Sequence, residues 1–236
     1  MNKTISIVTV TKNRPLFIKH LRHNIEDLDY DKNLIEWVVV DDGEQSAFPY
    51  VRDFPNVTYN YKHKHTPLGK KRNFANSLTS GEFIFYFDDD NYAFPNRISK
   101  SLEFLANNPD CDIVGSSEMF VMDIGIGKIY VTGPFSNNHA TLGTWAFHRS
   151  LLDQTKFLET DLSGEEVGFT KGWTIRIGQI DKFSTSICVD HGKNTVSKKH
   201  LLAEATEFFA IEDIIKDDFS KNYFKELIKQ INIGGV

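Results

Sequence analysis

The sequence predicts an α/β protein whose central, mostly parallel sheet is flanked by helices. Two observations lead to this fold class. Short runs of β-branched and aromatic residues alternate with segments of helical periodicity in the first half of the chain, which is the pattern of parallel strands joined by helices. The composition, with 40% hydrophobic and 25% charged residues, is that of a globular protein.

Length and charge exclude several classes of protein. The 236 residues are enough for one domain or a compact two-lobed domain. Lys and Arg number 27 against 32 Asp and Glu, a net charge of −5, so general nucleic-acid binding is not expected. The two cysteines, Cys111 and Cys188, are interpreted as free thiols of a reducing compartment. Because we find neither a signal peptide nor an apolar run of ~20 residues, we expect a soluble cytoplasmic protein without a membrane span.

The first half contains the clearest elements. A buried strand at residues 5–10 precedes a helix that begins at Pro15, since proline suits the first helical position. The following elements are predicted from the same alternation: strands at 35–40, 57–61 and 83–87, and helices at 69–78 and 95–105. Aspartates follow the strands at 35–40 and 83–87, at the sheet edge where ligands of such folds bind.

The second half is less regular. Strands are predicted near 111–114, 118–122, 128–131 and 185–189, with helices at 165–177 and 201–231. We expect a domain at 1–200, with a nucleotide-binding half at 1–107 and an acceptor-binding half at 108–200. Residues 201–236 would form a C-terminal helical extension that closes the core, pairs two subunits in a homodimer or touches a membrane surface, and its mixed charge favours the first.

Three consecutive carboxylates, Asp88, Asp89 and Asp90, follow the strand at 83–87. Like charges so close together repel unless a cation neutralises them, and Mg²⁺ or Mn²⁺ prefers such oxygen ligands together with phosphate oxygens. The alternative is a solvated acidic turn that caps the helix beginning near Pro95. We favour the metal site because the carboxylates end a buried strand.

Four motifs in order resemble the inverting family 2 glycosyltransferases of the GT-A (Rossmann-like) fold. They are Thr-Lys-Asn-Arg-Pro at 11–15, Asp-Asp-Gly at 41–43, Gly-Lys-Lys-Arg-Asn at 69–73, and Gly-Glu-Phe-Ile at 81–84 before the three aspartates. The resemblance is close over the first half and weaker to about residue 200. It implies a nucleotide-sugar-binding fold and a sugar transfer that uses Mn²⁺ or Mg²⁺.

The resemblance assigns a nucleotide site to the first strand and the Asp-Asp-Gly turn. Val10, Thr11, Asp41 and Asp42 would surround the uracil and ribose, since a carboxylate accepts hydrogen bonds from a base N–H or a ribose hydroxyl. The alternative is that the two aspartates cap the next helix. Lys12 stands where the family often has an aromatic residue, which is a departure from its pattern.

The diphosphate side of the same site is assigned to basic residues. Lys70 and Arg72 lie at a predicted helix start, where free N–H groups and the helix dipole attract anions. A solvated basic turn is the alternative for each of them. Arg14, in the first motif, is also assigned to donor binding.

The aspartates resemble the family's DXD motif. Asp90 is therefore expected to be the direct metal ligand, with Asp88 as a second candidate, while Asp88 or Asp89 reaches the ribose or the donor sugar. His191 matches the position of a third metal ligand, His200 is a weaker candidate, and a structural histidine is the alternative.

The segment around residue 165 resembles the family's Glu-Asp motif. Glu166 is expected to be the general base, with Glu165 as the second candidate and helix capping as the alternative. The segment 138–145 resembles the part that lines the acceptor and donor-sugar pocket. Trp145 would stack there on a sugar, or else belong to the core.

These observations predict a metal-dependent inverting glycosyltransferase that uses a nucleotide-sugar, a UDP-sugar by preference, and a hydroxyl acceptor on a carbohydrate, a protein or another molecule. Without the Gln-x-x-Arg-Trp pattern or membrane helices of processive synthases, a single transfer is favoured. A sugar-phosphate nucleotidyltransferase would carry a glycine-rich loop after the first strand, where this chain has Thr-Lys-Asn-Arg-Pro. A non-catalytic nucleotide-sugar or glycan-binding module is the other alternative.

Overall fold

The computed structural model describes residues 3–159, 164–194, 198–203, 205 and 207–232. The elements of the first half are β1 (Ile5–Thr11), α1 (Pro15–Glu26), β2 (Ile35–Asp41), α2 (Phe48–Val51), β3 (Val57–Tyr61), α3 (Leu68–Ser77), β4 (Phe83–Tyr86), β5 (Tyr92–Ala93) and α4 (Arg97–Asn107). Strand β1 pairs in parallel with both β2 and β4, and β2 pairs in parallel with β3. The predicted mixed α/β fold with a central sheet is confirmed.

The elements of the second half are β6 (Ile113–Gly115), β7 (Met119–Asp123), β8 (Lys128–Thr132), β9 (Ala146–His148), α5 (Glu166–Phe169), β10 (Ile177–Gln179), β11 (Ser186–Asp190), α6 (Lys199–Ala203), β12 (Glu207–Ala210), α7 (Ile211–Ile214) and α8 (Asp218–Asn232). Within the described residues, a larger sheet has the order β10-β6-β9-β4-β1-β2-β3 and a smaller one has the order β12-β8-β7-β11-β5. Strand β9 lies between β4 and β6 and is antiparallel to both.

Buried aliphatic and aromatic residues cover both faces of the larger sheet. Ile5, Ile7 and Trp37 face the side that α1 covers, while Val8, Val38 and Tyr86 face the other side. This burial on both faces explains why β2 has a continuous apolar run from Trp37 to Val40 rather than an alternating sequence. The sheet therefore forms a rigid support whose edge carries the polar residues.

Two predicted helices are wrong in extent. The helix predicted at 165–177 ends at Phe169, because Lys171, Gly172 and Trp173 take positive φ angles of 50°, 69° and 65°, and the chain then enters β10. The helix predicted at 201–231 is interrupted by β12, which pairs antiparallel with β8. Residues of β12 form a strand because they pair with β8, and the local periodicity of the sequence does not predict this strand.

The C-terminal segment adds both a strand and helices to the smaller sheet. Ile211, Ile215 and Phe224 are buried against it, whereas Phe208 on β12 remains exposed. The division into domains at residue 200 stays a prediction. Within the described residues, no helix combines the length and apolar character needed to cross a bilayer.

Candidate active site

The carboxyl ends of β1, β2 and β4 meet at one edge of the larger sheet. Thr11, the last residue of β1, lies beside Asp41, the last residue of β2, and the three aspartates follow β4. A cavity of about 830 Å³ opens here, a size suited to a small-molecule ligand. Of the predicted donor-site residues, the cavity is lined by Val10, Thr11, Arg14, Asp89 and His191.

Both carboxylate oxygens of Asp41 accept hydrogen bonds from other groups of the protein. Its Oδ1 accepts from the backbone N–H of Gly43 at 2.9 Å, and its Oδ2 accepts from the N–H of Ala47 at 2.9 Å and the hydroxyl of Tyr59 at 2.6 Å. A Cβ at Gly43 would approach the backbone nitrogen of Asn13 to 2.4 Å, so only glycine fits there. Asp41 thus shapes the turn beside the cavity, and its contact with a base stays a prediction.

The first testable prediction concerns this turn. Replacing Asp41 with alanine should lower the free energy of unfolding by about 1–3 kcal/mol, because buried donors lose their acceptor. Urea unfolding measures the change. Asp53→Ala is a matched control, since Asp53 is an exposed carboxylate beside Arg52. Unchanged stability with weakened UDP binding would instead mean that Asp41 contacts the donor directly.

Asp42 is also paired. It forms a buried ion pair with Lys71 and accepts from the backbone N–H of Thr66 at 2.8 Å. Lys71 lines the cavity, whereas Lys70, the predicted diphosphate residue, is exposed to solvent and is not among the cavity's lining residues. Lys70 and Lys71 differ in this respect because consecutive side chains of the helix α3 point in different directions.

Arg14 connects two of the three aspartates. Its Nη1 lies 2.8 Å from Asp89 Oδ1 and 2.8 Å from Asp90 Oδ2. The other oxygen of Asp89 accepts from the hydroxyl of Thr11 at 2.7 Å. Burial and the charge of Asp90 raise the pKa of Asp89, and the contacts with Arg14 and Thr11 oppose that shift. Both oxygens of Asp89 are therefore occupied by protein groups.

Asp90 and His191, the two residues assigned to a metal, are in contact, and their role as metal ligands stays a prediction. His191 Nε2 lies 3.0 Å from Asp90 Oδ2, and both side chains are almost fully buried. Asn194 Nδ2 also lies 3.4 Å from this oxygen. His191 follows β11, so the smaller sheet brings an imidazole nitrogen to the aspartates of the larger one.

Asp88 points toward a different partner. Arg72 is buried, and its guanidinium lies 3.0 Å from Glu165 and 3.7 Å from Asp88. Burial raises the pKa of Asp88 despite the opposing charge of Arg72. A Cβ at Gly143 would approach Asp88 Oδ2 to 2.5 Å, so this loop lies directly against the carboxylate. Arg72 thus connects the DXD segment to the predicted catalytic segment.

The two glutamates differ in their surroundings. Glu165 is buried and its carboxylate is occupied by Arg72, whereas Glu166 is half-buried and forms no ion pair with any described residue. Burial, followed by the charge of Glu165, raises the pKa of Glu166 above its ordinary value. A carboxylate with a raised pKa and no cationic partner is suited to accept a proton.

The remaining candidates have different outcomes. Trp145 is fully buried and donates from its indole nitrogen to the carbonyl of Ala140 at 2.9 Å, so it belongs to the core, as the alternative held. The side chain of His200 lies outside the described residues.

Asp90 and His191 are the residues that could bind a divalent cation at this site. Among the described parts of the chain, no group of three His, Cys, Asp or Glu side chains can hold a metal by itself. Asp90 and His191 nevertheless supply an oxygen and a nitrogen ligand in direct contact. The residues fit a Mn²⁺ or Mg²⁺ ion that completes its coordination with phosphate oxygens and water.

The sequence interpretation missed one wall of the cavity. Helix α8 contributes Phe219, Tyr223 and Leu227, which recur at intervals of four residues. The ring of Tyr223 stacks on that of His20 in α1, at 4.2 Å between ring centroids. The periodicity of α8 was visible in the sequence, but the element that it faces was not.

Comparison with known proteins gives one family match. The model of glycosyl transferase family 2 matches residues 6–155. An uncharacterized glycosyltransferase of Methanocaldococcus jannaschii is 26% identical over 128 residues, which cover 51% of this chain and 43% of that protein. The match therefore spans less than half of the length of this curated relative.

Two solved structures have the same fold. S. aureus TarS 1-349 in complex with UDP-GlcNAc superposes with a TM-score of 0.65 at 17% identity, over 95% of this chain and 70% of that one. The mannosyltransferase PcManGT of Pyrobaculum calidifontis, in complex with GDP-Man and Mn²⁺, gives a TM-score of 0.62 at 18% identity, over 85% and 59% of the two chains. These similarities confirm the GT-A type of fold, and the family match covers more than half of the sequence. The chain belongs to glycosyl transferase family 2.

Proposed function

We propose that this chain is a metal-dependent inverting glycosyltransferase that transfers one sugar from a UDP-sugar to an acceptor hydroxyl. The observation that carries the proposal is the difference in surroundings between Asp90, which follows β4, and Glu166, which begins α5. Asp90 contacts His191, as metal ligands would, while Glu166 is half-buried without an ion-pair partner among the described residues. A metal-supported leaving group and a separate base are what an inverting transfer requires.

The donor would occupy the cavity beside β1. Thr11 and Val10 line it, and Lys71 and Arg14 provide positive charge for a diphosphate. Asp90 and His191 would hold the divalent cation, which when bound neutralises charge on the leaving diphosphate. The two solved neighbours are complexes with UDP-GlcNAc and with GDP-Man, which supports a nucleotide-sugar donor. Our preference for UDP rests on the sequence resemblance.

Glu166 would act on the acceptor. Its carboxylate takes the proton of the acceptor hydroxyl while that oxygen forms a bond to the anomeric carbon of the donor. The bond from this carbon to the diphosphate oxygen breaks, and its electron pair leaves with the nucleoside diphosphate. Glu165 is paired with Arg72 at 3.0 Å, so that Glu165 serves to position the segment rather than to accept the proton.

The acceptor, the cellular location and the oligomeric state are also proposals. The acceptor hydroxyl would belong to a carbohydrate, a protein or another molecule, and the protein would act in the cytoplasm. A homodimer would use the exposed side of α8, since Phe224 of this helix is buried within the chain. The nucleotidyltransferase alternative is not favoured, because the family match supports a glycosyltransferase.

The experiment that tests the function is a donor screen with analysis of the product. The purified protein is incubated with UDP-, GDP- and dTDP-sugars, Mn²⁺ and a panel of acceptors, and the product is examined by NMR. Because attack comes from the face opposite the leaving group, an α-linked donor should give a β-linked product. Retention of the α configuration would contradict the proposed mechanism, and binding of donors without any turnover would favour the non-catalytic module.

A further inference from the structure

Arg14 already provides a positive charge at the site assigned to the metal. One nitrogen of its guanidinium, Nη1, lies 2.8 Å from both Asp89 and Asp90. The side chain is partly exposed and lines the donor cavity, so it is accessible from the space that the donor would occupy. The other terminal nitrogen, Nη2, donates to the backbone carbonyl of Lys193 at 2.9 Å.

The contact with Asp90 uses the oxygen that also faces His191. Asp90 Oδ2 lies 2.8 Å from Arg14, 3.0 Å from His191 and 3.4 Å from Asn194. A cation held between Asp90 and His191 needs a lone pair of this carboxylate and would stand within a few ångströms of a permanent positive charge. Two positive charges at such separations repel strongly in a buried site. Arg14 and a divalent cation therefore compete for Asp90.

A diphosphate changes this balance. It brings negative charge into the cavity that Arg14 lines, and a guanidinium pairs with phosphate oxygens as readily as with a carboxylate. Asp89 keeps its hydrogen bond from Thr11 when Arg14 turns away. Arg14 thus pairs with two aspartates in this structure, and a bound diphosphate would offer it a further anionic partner.

We propose that Arg14 competes with the divalent cation for Asp90. When a nucleotide binds, Arg14 leaves Asp90 and pairs with the diphosphate, so that metal binding depends on the nucleotide. This inference rests on the proposed function, because it assigns a mode of regulation to the same site. It predicts that Mn²⁺ and UDP bind with positive coupling and that Arg14 is the source of a large part of that coupling.

The test measures Mn²⁺ binding, not activity. The signal of free Mn²⁺ in electron paramagnetic resonance gives its affinity for the protein with and without UDP. Without UDP, Arg14→Gln should bind Mn²⁺ about tenfold more tightly than the wild type, and UDP should increase the affinity of the variant less. Glutamine preserves a hydrogen-bond donor for Asp89 and removes the charge.

Two variants serve as controls. Lys19→Met removes one positive charge from α1 at the exposed border of the same cavity, and it should leave Mn²⁺ binding unchanged. Arg14→Lys keeps the charge, so its Mn²⁺ affinity without UDP should stay within about threefold of the wild type. If Arg14→Gln fails to fold, as judged by circular dichroism, Arg14→Met removes the same charge and should show the same gain in Mn²⁺ affinity without UDP.

Several outcomes would overturn the inference. The first is an Arg14→Gln variant whose Mn²⁺ affinity without UDP is equal to or weaker than that of the wild type. The second is an Arg14→Lys variant whose Mn²⁺ affinity rises about tenfold. The third is a Lys19→Met variant whose Mn²⁺ affinity rises as much as that of Arg14→Gln. The proposed function is judged separately by sugar transfer in the wild type. Transfer that persists in EDTA would refute metal dependence, whereas a metal-dependent transfer with unchanged binding in Arg14→Gln would refute only the role of Arg14.

Discussion

Replacing Glu166 with glutamine is expected to slow sugar transfer by about 10²- to 10⁴-fold, the usual contribution of a general base. Glutamine has nearly the same shape but cannot accept the proton of the acceptor hydroxyl. The loss should appear in kcat, with UDP affinity unchanged, because the base acts on the acceptor during the chemical step. Steady-state kinetics and titration calorimetry with UDP together provide the measurement.

Glu165→Gln is the matched control. Glutamine can still accept a hydrogen bond from Arg72, but the buried guanidinium loses the nearer of its two anionic partners, Glu165 at 3.0 Å and Asp88 at 3.7 Å. We therefore expect a lower melting temperature and a smaller loss of kcat than for Glu166→Gln. Full activity of Glu166→Gln would exclude this residue as the base and transfer the role to Glu165 or another carboxylate.

The pH profile gives a second readout of Glu166. The base must be ionised to accept a proton, and burial raises the pKa of Glu166 above that of an ordinary glutamate. The transfer rate should therefore fall as the pH is lowered through this raised pKa, with the acid limb at a higher pH than an exposed glutamate would give. In Glu166→Gln that limb should disappear from the residual rate.

Replacing Asp90 with alanine is expected to reduce turnover by at least about 100-fold, which is comparable to the largest losses from disturbing the surroundings of a metal. Asp90 is the carboxylate that contacts His191, so its loss removes an oxygen ligand of the proposed cation. Arg14 keeps its contact with Asp89, and the fold should survive. Activity assays and circular dichroism measure the two effects.

Titration calorimetry with UDP tests whether the fall in turnover of Asp90→Ala arises from the loss of the metal. In the wild type, UDP affinity should fall when EDTA removes the cation, and in Asp90→Ala the presence of EDTA should make little difference. Asp190→Ala is a control in the same region, because Asp190 is a carboxylate at the end of β11 outside the three aspartates. Equal UDP binding by the wild type with and without EDTA would contradict the metal site.

The first half of the fold could be predicted because its signals are local. Strands β1, β2 and β4 are short apolar runs bounded by turns, and each burial pattern is contained in a few consecutive residues. The errors lie where distant contacts decide the conformation. Strand β12 forms because β8 offers an unpaired edge, and α5 ends where the backbone takes left-handed angles.

The family, the mostly parallel sheet and the placement of carboxylates at its carboxyl edge could all be inferred from the amino-acid sequence. The contacts of each charged group could not: Asp41 holds its own turn, Arg72 pairs with Glu165 across 93 positions of the chain, and Arg14 occupies Asp89 and Asp90. The physical reason is the range of the interactions. Strand and helix patterns reflect burial of neighbouring residues, whereas ion pairs and hydrogen bonds depend on which distant segments the fold brings within about 3 Å.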